Sequence, residues 1–178
     1  FMLVIAFFIG ACNKSESSKT SIAAEEKLNI SYGSDSKQIL DLYLPENRSS
    51  DTKVIVMLHG GFWAGGDKDE LTIYAKHFQQ KGFAVANLNY RLTNTPDNNI
   101  HPAQVNDIRK AIDFISLNSP DWNISSSKFA LIGSSAGGHL ALLYTYAYND
   151  NNSVKAVASI AGPTNLTDTR NISNTQLH

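Results

Sequence analysis

The sequence predicts an α/β fold in which helices cover both faces of a mostly parallel sheet. Four mainly apolar runs have the length of buried strands, and segments with helical patterns lie between them. This alternation indicates crossover connections between parallel strands, and a β-hairpin precedes it. The predicted strands are 27–32, 37–44, 54–58, 83–88, 129–132 and 154–160, and the predicted helices are 67–81, 102–118 and 136–148.

Local signals support the first half of this order. The first two strands are β-rich runs on either side of a Gly-Ser-Asp-Ser turn, which is typical of a hairpin. The segment VIVML at 54–58 is apolar throughout, as expected for a strand that is buried on both faces. Asp67 and Glu70 have the spacing of a capping box at a helix start, and Gly82 predicts the end of that helix.

The second half of the chain repeats the alternation of strand and helix. The run 83–88 predicts a second buried strand, and Pro102 suits the first turn of the long helix that follows. The runs 129–132 and 154–160 predict two more strands, with a helix from about Ala136 between them. We therefore expect a sheet that stops after about its sixth strand.

The N-terminus resembles a bacterial lipoprotein signal over residues 1–12. Nine apolar residues are too few to span a hydrocarbon core of about 30 Å, but they suit the apolar region of a signal peptide. Gly10 and Ala11 before Cys12 resemble a lipobox, which implies cleavage before Cys12 and lipidation of its thiol. That implies an exported protein anchored to a membrane of the bacterial cell envelope. An ordinary secretory signal of a secreted protein and a buried apolar strand are the alternatives.

The composition of the chain restricts its domain organisation and the partners it can have. Residues 13–26 are polar and rich in Ser, so they predict a flexible tether before a domain over 27–178. The 15 Lys and Arg nearly balance 16 Asp and Glu, and this charge balance argues against a nucleic-acid partner. A single cysteine excludes an internal disulfide framework and a multi-cysteine zinc site, and we expect no metal.

The motif GSSAG at 133–137 predicts a nucleophilic serine. It fits the G-x-S-x-G pattern, and it stands between an apolar strand and a helix as that pattern requires. Gly133 and Gly137 leave room for the backbones to approach on a tight turn, which raises the Oγ of Ser135 above the sheet. The helix N-terminus then faces negative charge that forms on a substrate. A Gly/Ser-rich phosphate-binding turn is the alternative, but no Lys follows as in a P-loop.

A second motif, HGGFW at 59–63, predicts an oxyanion loop of the HGGG type. Preorganised N–H donors stabilise the negative oxygen that develops in acyl transfer. We assign these donors to the backbone amides of Gly61, Phe62 and Ala136, with Gly60 as the fallback because the register of the loop is open. His59 is expected to shape the loop through a hydrogen bond. The two motifs lie about 75 residues apart, each directly after a strand.

Together these segments resemble the α/β-hydrolase superfamily, in the branch of hormone-sensitive-lipase-like and polysaccharide-deacylating esterases. The third residue of the loop after His59 is Phe62 rather than glycine, as in many such esterases. The resemblance covers 27–178, which it identifies as a partial α/β-hydrolase domain. The matching segments are HGGFWAGGDK at 59–68, NYRL at 89–92, PAQVNDIRKA at 102–111, GSSAGGHLA at 133–141 and AGPT at 161–164.

The resemblance also implies where the partners of Ser135 lie. In this fold the triad acid follows the seventh strand and the triad His follows the eighth, so both are expected beyond His178. Residues 1–178 alone are then expected to be inactive. Asp168 is the alternative for the acid, but its position after the strand-six loop suits a loop near the pocket better. His178 does not suit the role of base, because no acid-bearing seventh strand precedes it.

Other polar and aromatic residues have more ordinary interpretations. His139 is expected to pack or support the loop, and Arg91 and Asp107 form a candidate ion pair or lie separately on the surface. Phe62 and Trp63 either line the acyl or alcohol pocket or pack in the core. His77 and His101 have no partner pattern and suit surface or capping positions.

The function that these expectations favour is a serine carboxylic-ester hydrolase that needs no cofactor. The resemblance implies short-chain or polysaccharide-linked acyl esters as substrates, and the membrane as a second partner through Cys12. An arylformamidase or a serine peptidase of the same fold would use the same serine turn. The third possibility is a non-catalytic, membrane-anchored fragment that lacks the triad acid and His.

Overall fold

A computed structural model describes residues 21–93 and 99–167, and these form one six-stranded sheet with three α-helices. Of the predictions above, the signal at 1–12, most of the tether, Asp168 and His178 lie outside the described residues. The strands are β1 (Glu25–Ser31), β2 (Ile39–Leu44), β3 (Val54–Leu58), β4 (Ala84–Leu88), β5 (Phe129–Ser134) and β6 (Val154–Ile160). The helices are α1 (Thr72–Gln80), α2 (Ala103–Trp122) and α3 (Ala136–Ala147).

The order of strands in the sheet is β1-β2-β4-β3-β5-β6. The hairpin β1–β2 is antiparallel and joins β4 in antiparallel fashion, while β4, β3, β5 and β6 are parallel to one another. The predicted mostly parallel sheet is therefore confirmed. Because the four strands run in one direction, the loops that follow them leave the sheet at the same edge.

Helices pack on both faces of the sheet, as predicted. Val56 and Leu58 of β3 face the larger core, which α2 and α3 cover with side chains such as Ile108 and Leu140. Ile55 and Met57 face the opposite way, toward α1. The strict alternation along β3 explains why its sequence is apolar at every position.

The predicted tether extends too far along the chain. Glu25 and Glu26 belong to β1, and the backbone before them is held by hydrogen bonds. The Nη1 of Arg48 donates to the carbonyl oxygen of Ala23 at 2.6 Å, and the amide of Asn47 donates to that of Ile22 at 2.8 Å. These partners lie far away in sequence, so composition alone does not indicate them.

Two helices differ from the prediction at one end. The capping box of Asp67 and Glu70 is present as predicted, but it opens a short 3-10 turn (Lys68–Leu71), and α1 begins after that turn. The helix α2 continues past 118 to Trp122, with Pro120 inside it. The missing N–H of Pro120 would leave the carbonyl of Ser116 unpaired, and the hydroxyl of Ser119 donates to that carbonyl at 2.8 Å instead. Among the described residues, no helix has the length and apolar character needed to cross a membrane.

Candidate active site

Ser135 occupies a strained turn between β5 and α3. Its φ of 50° and ψ of −118° are unfavourable for a residue with a side chain, and such conformations are retained mainly at functional sites. The surrounding backbone holds the turn in place. The amide of Ser135 donates to the carbonyl oxygen of Ile160 at 2.8 Å, and its carbonyl oxygen accepts from the amide of His139 at 3.0 Å.

Close backbone packing explains the two glycines of the motif. A Cβ on Gly133 would lie 2.1 Å from the carbonyl oxygen of Gly137. A Cβ on Gly137 would lie 2.2 Å from the carbonyl oxygen of Leu58, the last residue of β3. Real Cβ contacts this short do not occur, so only glycine fits at either position. The start of α3 therefore sits directly against the end of the central strand.

The same packing brings the second motif to Ser135. A Cβ on Gly60 would lie 3.3 Å from the Cβ of Ser135, so this part of the loop passes directly beside the serine. Gly61 has a φ of +108°, and its carbonyl oxygen accepts hydrogen bonds from the amides of Ala64 and Gly65. Phe62 is also in the left-handed region, with a φ of 53°. The loop is thus a tight turn at the edge where the serine stands.

The N-terminus of α3 supplies further donors on the serine side. The first N–H groups of a helix have no partner within that helix, and Ala136 is the first residue of α3. The positive end of the helix dipole lies there as well. The assignment of the oxyanion donors to Gly61, Phe62 and Ala136, rather than to the fallback Gly60, stays a prediction.

His59 lies beneath the loop and is almost completely buried. Its Nδ1 donates to the carbonyl oxygen of Gly60 at 2.7 Å, which is the contact expected of a residue that shapes the loop. Burial lowers the pKa of His59, so the ring is neutral at pH 7 and carries its proton on Nδ1. Tyr90 stacks on it with 4.4 Å between ring centroids, and the Tyr90 hydroxyl donates to the His59 carbonyl oxygen at 2.8 Å.

An apolar cavity of about 430 Å³ adjoins the loop. Phe62 and Trp63 line it, and the use of this cavity as an acyl or alcohol pocket stays a prediction. The ring of His139 meets that of Trp63 edge-on at 5.2 Å, which is the packing contact expected of this histidine. The cavity walls are formed by Phe62, Trp63, Thr93, Ile100, His101, Gln104, His139, Leu140, Leu143 and Leu166.

The other predicted residues pair with each other or are exposed. The Nη2 of Arg91 donates to a carboxylate oxygen of the fully buried Asp107 at 2.7 Å, so the predicted ion pair is present. His77 and His101 are exposed. Across residues 21–93 and 99–167, no group of three or more His, Cys, Asp or Glu side chains is arranged to hold a metal ion.

Five buried residues that support the loop were not predicted from the sequence. Four of them interrupt apolar strands or follow β4 directly, and that interruption is the signal that could have revealed them; Lys68 opens the 3-10 turn and carries no such signal. The missed residues are Asp41, Lys68, Asn87, Asn89 and Tyr90.

Several hydrolases are among the known proteins that the chain resembles. Residues 40–177 match the model of the BD-FAE family. The chain is 33% identical over 113 residues to isoprenylcysteine alpha-carbonyl methylesterase from Arabidopsis thaliana, covering 64% of the chain and 26% of that protein. It is 30% identical over 130 residues to kynurenine formamidase from Danio rerio, covering 73% of the chain and 42% of that protein.

Solved esterase structures share the fold. A truncated carbohydrate esterase from gut microbiota superposes with a TM-score of 0.59 at 29% identity, covering 68% of the chain and 43% of the esterase. The α/β-hydrolase fold predicted from the motifs is therefore confirmed. The chain spans less than half of the length of each of these three proteins.

Proposed function

The chain belongs to the BD-FAE family, and on that basis we propose that the protein is a serine hydrolase that cleaves carboxylic esters through an acyl-enzyme. The observation that carries this proposal is the contact between the two motifs, in which Gly60 passes beside Ser135 at the N-terminus of α3. Esterases among the relatives and the solved structures support the same type of reaction.

In the proposed reaction, the Oγ of Ser135 attacks the ester carbonyl carbon. The carbonyl oxygen becomes an oxyanion, which the amides of Gly61, Phe62 and Ala136 stabilise. When the tetrahedral intermediate collapses, the bond to the alcohol oxygen breaks and the acyl group stays on Ser135. Water then attacks the acyl-enzyme and releases the acid.

Proton transfer in this scheme needs a His base and a carboxylate that orients it. The base takes the proton of the serine hydroxyl and gives it to the departing alcohol. We propose that both residues come after the sixth strand, beyond residue 178, as the chain order of this fold requires. His139 has a different role, since its ring packs against Trp63.

Substrates with short acyl groups, free or linked to polysaccharide, are the proposed class. The carbohydrate esterase among the solved structures supports the polysaccharide-linked form. Hydrolysis of N-formyl arylamines is the second candidate, because kynurenine formamidases from two fishes are among the relatives. A panel of aryl acetates, acetylated oligosaccharides and an N-formyl arylamine separates the two candidates by their kcat/KM values.

The nucleophile is tested by labelling with a fluorophosphonate probe and by hydrolysis of p-nitrophenyl acetate. The experiment uses the protein expressed from its complete reading frame. We expect Ser135→Ala to abolish labelling and to lower kcat by at least about 10⁴-fold. Ser134→Ala is the matched control, since it removes the neighbouring serine of the same motif and should leave labelling intact. An unlabelled wild-type protein that is inert towards every ester would refute the proposal.

We also propose that Cys12 is lipidated and anchors the protein in the cell envelope. The Gly-Ala-Cys sequence after an apolar segment supports this proposal. Metabolic labelling with a radioactive fatty acid should mark the wild-type protein and not a Cys12→Ala variant. Membrane association of the Cys12→Ala variant equal to that of the wild type would contradict it.

A further inference from the structure

Two asparagines of the β4 region hold the far end of the loop that passes beside Ser135. The Nδ2 of Asn87 donates to the carbonyl oxygen of Lys68 at 2.6 Å. The Oδ1 of Asn89 accepts from the amide of the same Lys68 at 2.6 Å. The Nδ2 of Asn89 also donates to a carboxylate oxygen of Asp67 at 2.8 Å. Hydrogen bonds with the two asparagines thus hold both the amide and the carbonyl group of Lys68.

Asn87 is an unfavourable residue for its position if stability alone is considered. It is fully buried in β4, and the other four residues of that strand are apolar. Its Oδ1 has no hydrogen-bond partner among the described residues. An unpaired amide oxygen in the interior destabilises the folded state, whereas a β-branched side chain would suit this strand. The benefit of Asn87 must therefore come from its one hydrogen bond to the loop.

The segment that contains Lys68 contacts the part of the loop that lies beside the serine. A Cβ on Gly66 would lie 2.4 Å from the carbonyl oxygen of Gly60, so the two ends of the loop touch each other. Tyr90 holds the first end through its stack on His59 and its hydrogen bond to the His59 carbonyl oxygen. The end of β4 therefore fixes both ends of the loop.

We propose that Asn87 is a positioning residue for the oxyanion loop: its side-chain amide fixes Lys68 and, through Gly66, the orientation of the Gly60–Phe62 backbone toward Ser135. The catalytic consequence of this role rests on the proposed function, but the mechanical role does not. A purely structural residue would change stability and loop dynamics together. A positioning residue changes loop dynamics while stability is kept.

Hydrogen exchange tests the mechanical role. In Asn87→Val, the amides of residues 60–67 should exchange at least about tenfold faster than in the wild type, while the melting temperature stays equal or rises. Gln79→Met is the matched control, because it also removes a buried amide that donates to a backbone carbonyl, that of Leu44 at 2.9 Å. In this control, exchange at 60–67 should be unchanged. If Asn87→Val does not fold, Asn87→Ala, which adds no bulk, replaces it.

Kinetics test the catalytic consequence in the protein from its complete reading frame. Asn87→Val should lower kcat by about tenfold or more with KM within about twofold of the wild type. Affinity for a trifluoromethyl ketone, which forms an oxyanion on Ser135, should fall by the same factor as kcat/KM. Unchanged exchange at 60–67 would overturn the inference. Faster exchange with unchanged kcat would overturn its catalytic part, and an inactive wild type would refute the proposed function alone.

Discussion

Replacing Gly137 by alanine is predicted to destabilise the protein, although the same change stabilises most helices. Gly137 is the second residue of α3, where alanine is normally favoured over glycine by about 1 kcal/mol. Here the added Cβ would lie 2.2 Å from the carbonyl oxygen of Leu58 and 2.4 Å from that of His59. Both are backbone atoms at the end of the central strand, so neither can rotate away.

The size of the effect follows from these distances. The contact with Leu58 is about 1.2 Å shorter than the 3.4 Å at which ordinary van der Waals contact begins. Relieving it requires α3 and the end of β3 to separate, which opens part of the core. Overpacking of this kind costs about 1–3 kcal/mol or more, and the rigid backbone on both sides favours the upper end. Allowing for the gain in helix propensity, we expect a net loss of about 2 kcal/mol.

Thermal and urea unfolding measure this loss. A change of about 2 kcal/mol lowers the melting temperature by roughly 4–8 °C in a domain of this size. Gly65→Ala is the matched control, because its Cβ would meet nothing closer than 3.8 Å, and its stability should change by less than about 0.5 kcal/mol. A Gly137→Ala variant that is as stable as the wild type would refute the close packing of α3 on β3.

Two further predictions concern buried charge and protonation. Lys68→Met leaves Asp41 buried without the Nζ that lies 2.8 Å from its carboxylate, so it should cost about 3–5 kcal/mol in urea unfolding. Lys128→Met is the control, because it breaks an exposed ion pair and should cost far less. Equal losses would contradict the burial of the first pair. Burial lowers the pKa of His59 in the folded protein. Below about pH 6.5 the unfolded chain therefore takes up a proton at this histidine that the folded protein does not. The free energy of unfolding should fall as the pH falls from 7 to 5, by at most about 1.4 kcal/mol per pH unit for this group. Melting temperatures measured from pH 7 to pH 5 check this trend. The control variant His77→Gln, which changes an exposed histidine, should show the same trend. A melting temperature that does not change with pH would contradict the prediction.

The sequence predicted the order of elements because each strand has its own unambiguous signal. The run VIVML is apolar at every position, and only a strand with both faces covered needs that pattern. The ends of elements were predicted less well, because they depend on distant partners. The start of β1 lies earlier than expected since Arg48 holds the backbone before it, and such long-range hydrogen bonds leave no local signal.

The site was predicted only as far as the two motifs reach. The spacing of the G-x-S-x-G motif predicted the roles of Gly133, Ser135 and Gly137, because a tight turn dictates which residues fit at each position. Asn87 and Asp41 act from neighbouring strands, where they pair across the sheet. Their role depends on the pairing of Asp41 with Asn87 across the sheet and on the position of Lys68, which contacts both side chains. A single sequence shows only that a polar residue interrupts an apolar strand, and that observation has several explanations.

The arrangement around Ser135 is a consequence of the sheet order rather than of any one motif. The strand β3 leads into the loop of the HGGFW motif, and residues in and directly after the neighbouring strand β4 hold that loop, namely Asn87 and Tyr90. On the other side of β3, the strand β5 leads into Ser135. The amide of Ser135 donates to the carbonyl oxygen of Ile160 at the end of β6. Each of the four parallel strands thus supplies one constraint at the same edge. Because these constraints act together, the unfavourable backbone of Ser135 persists, and loosening the loop at Asn87 should disturb the reaction without unfolding the sheet.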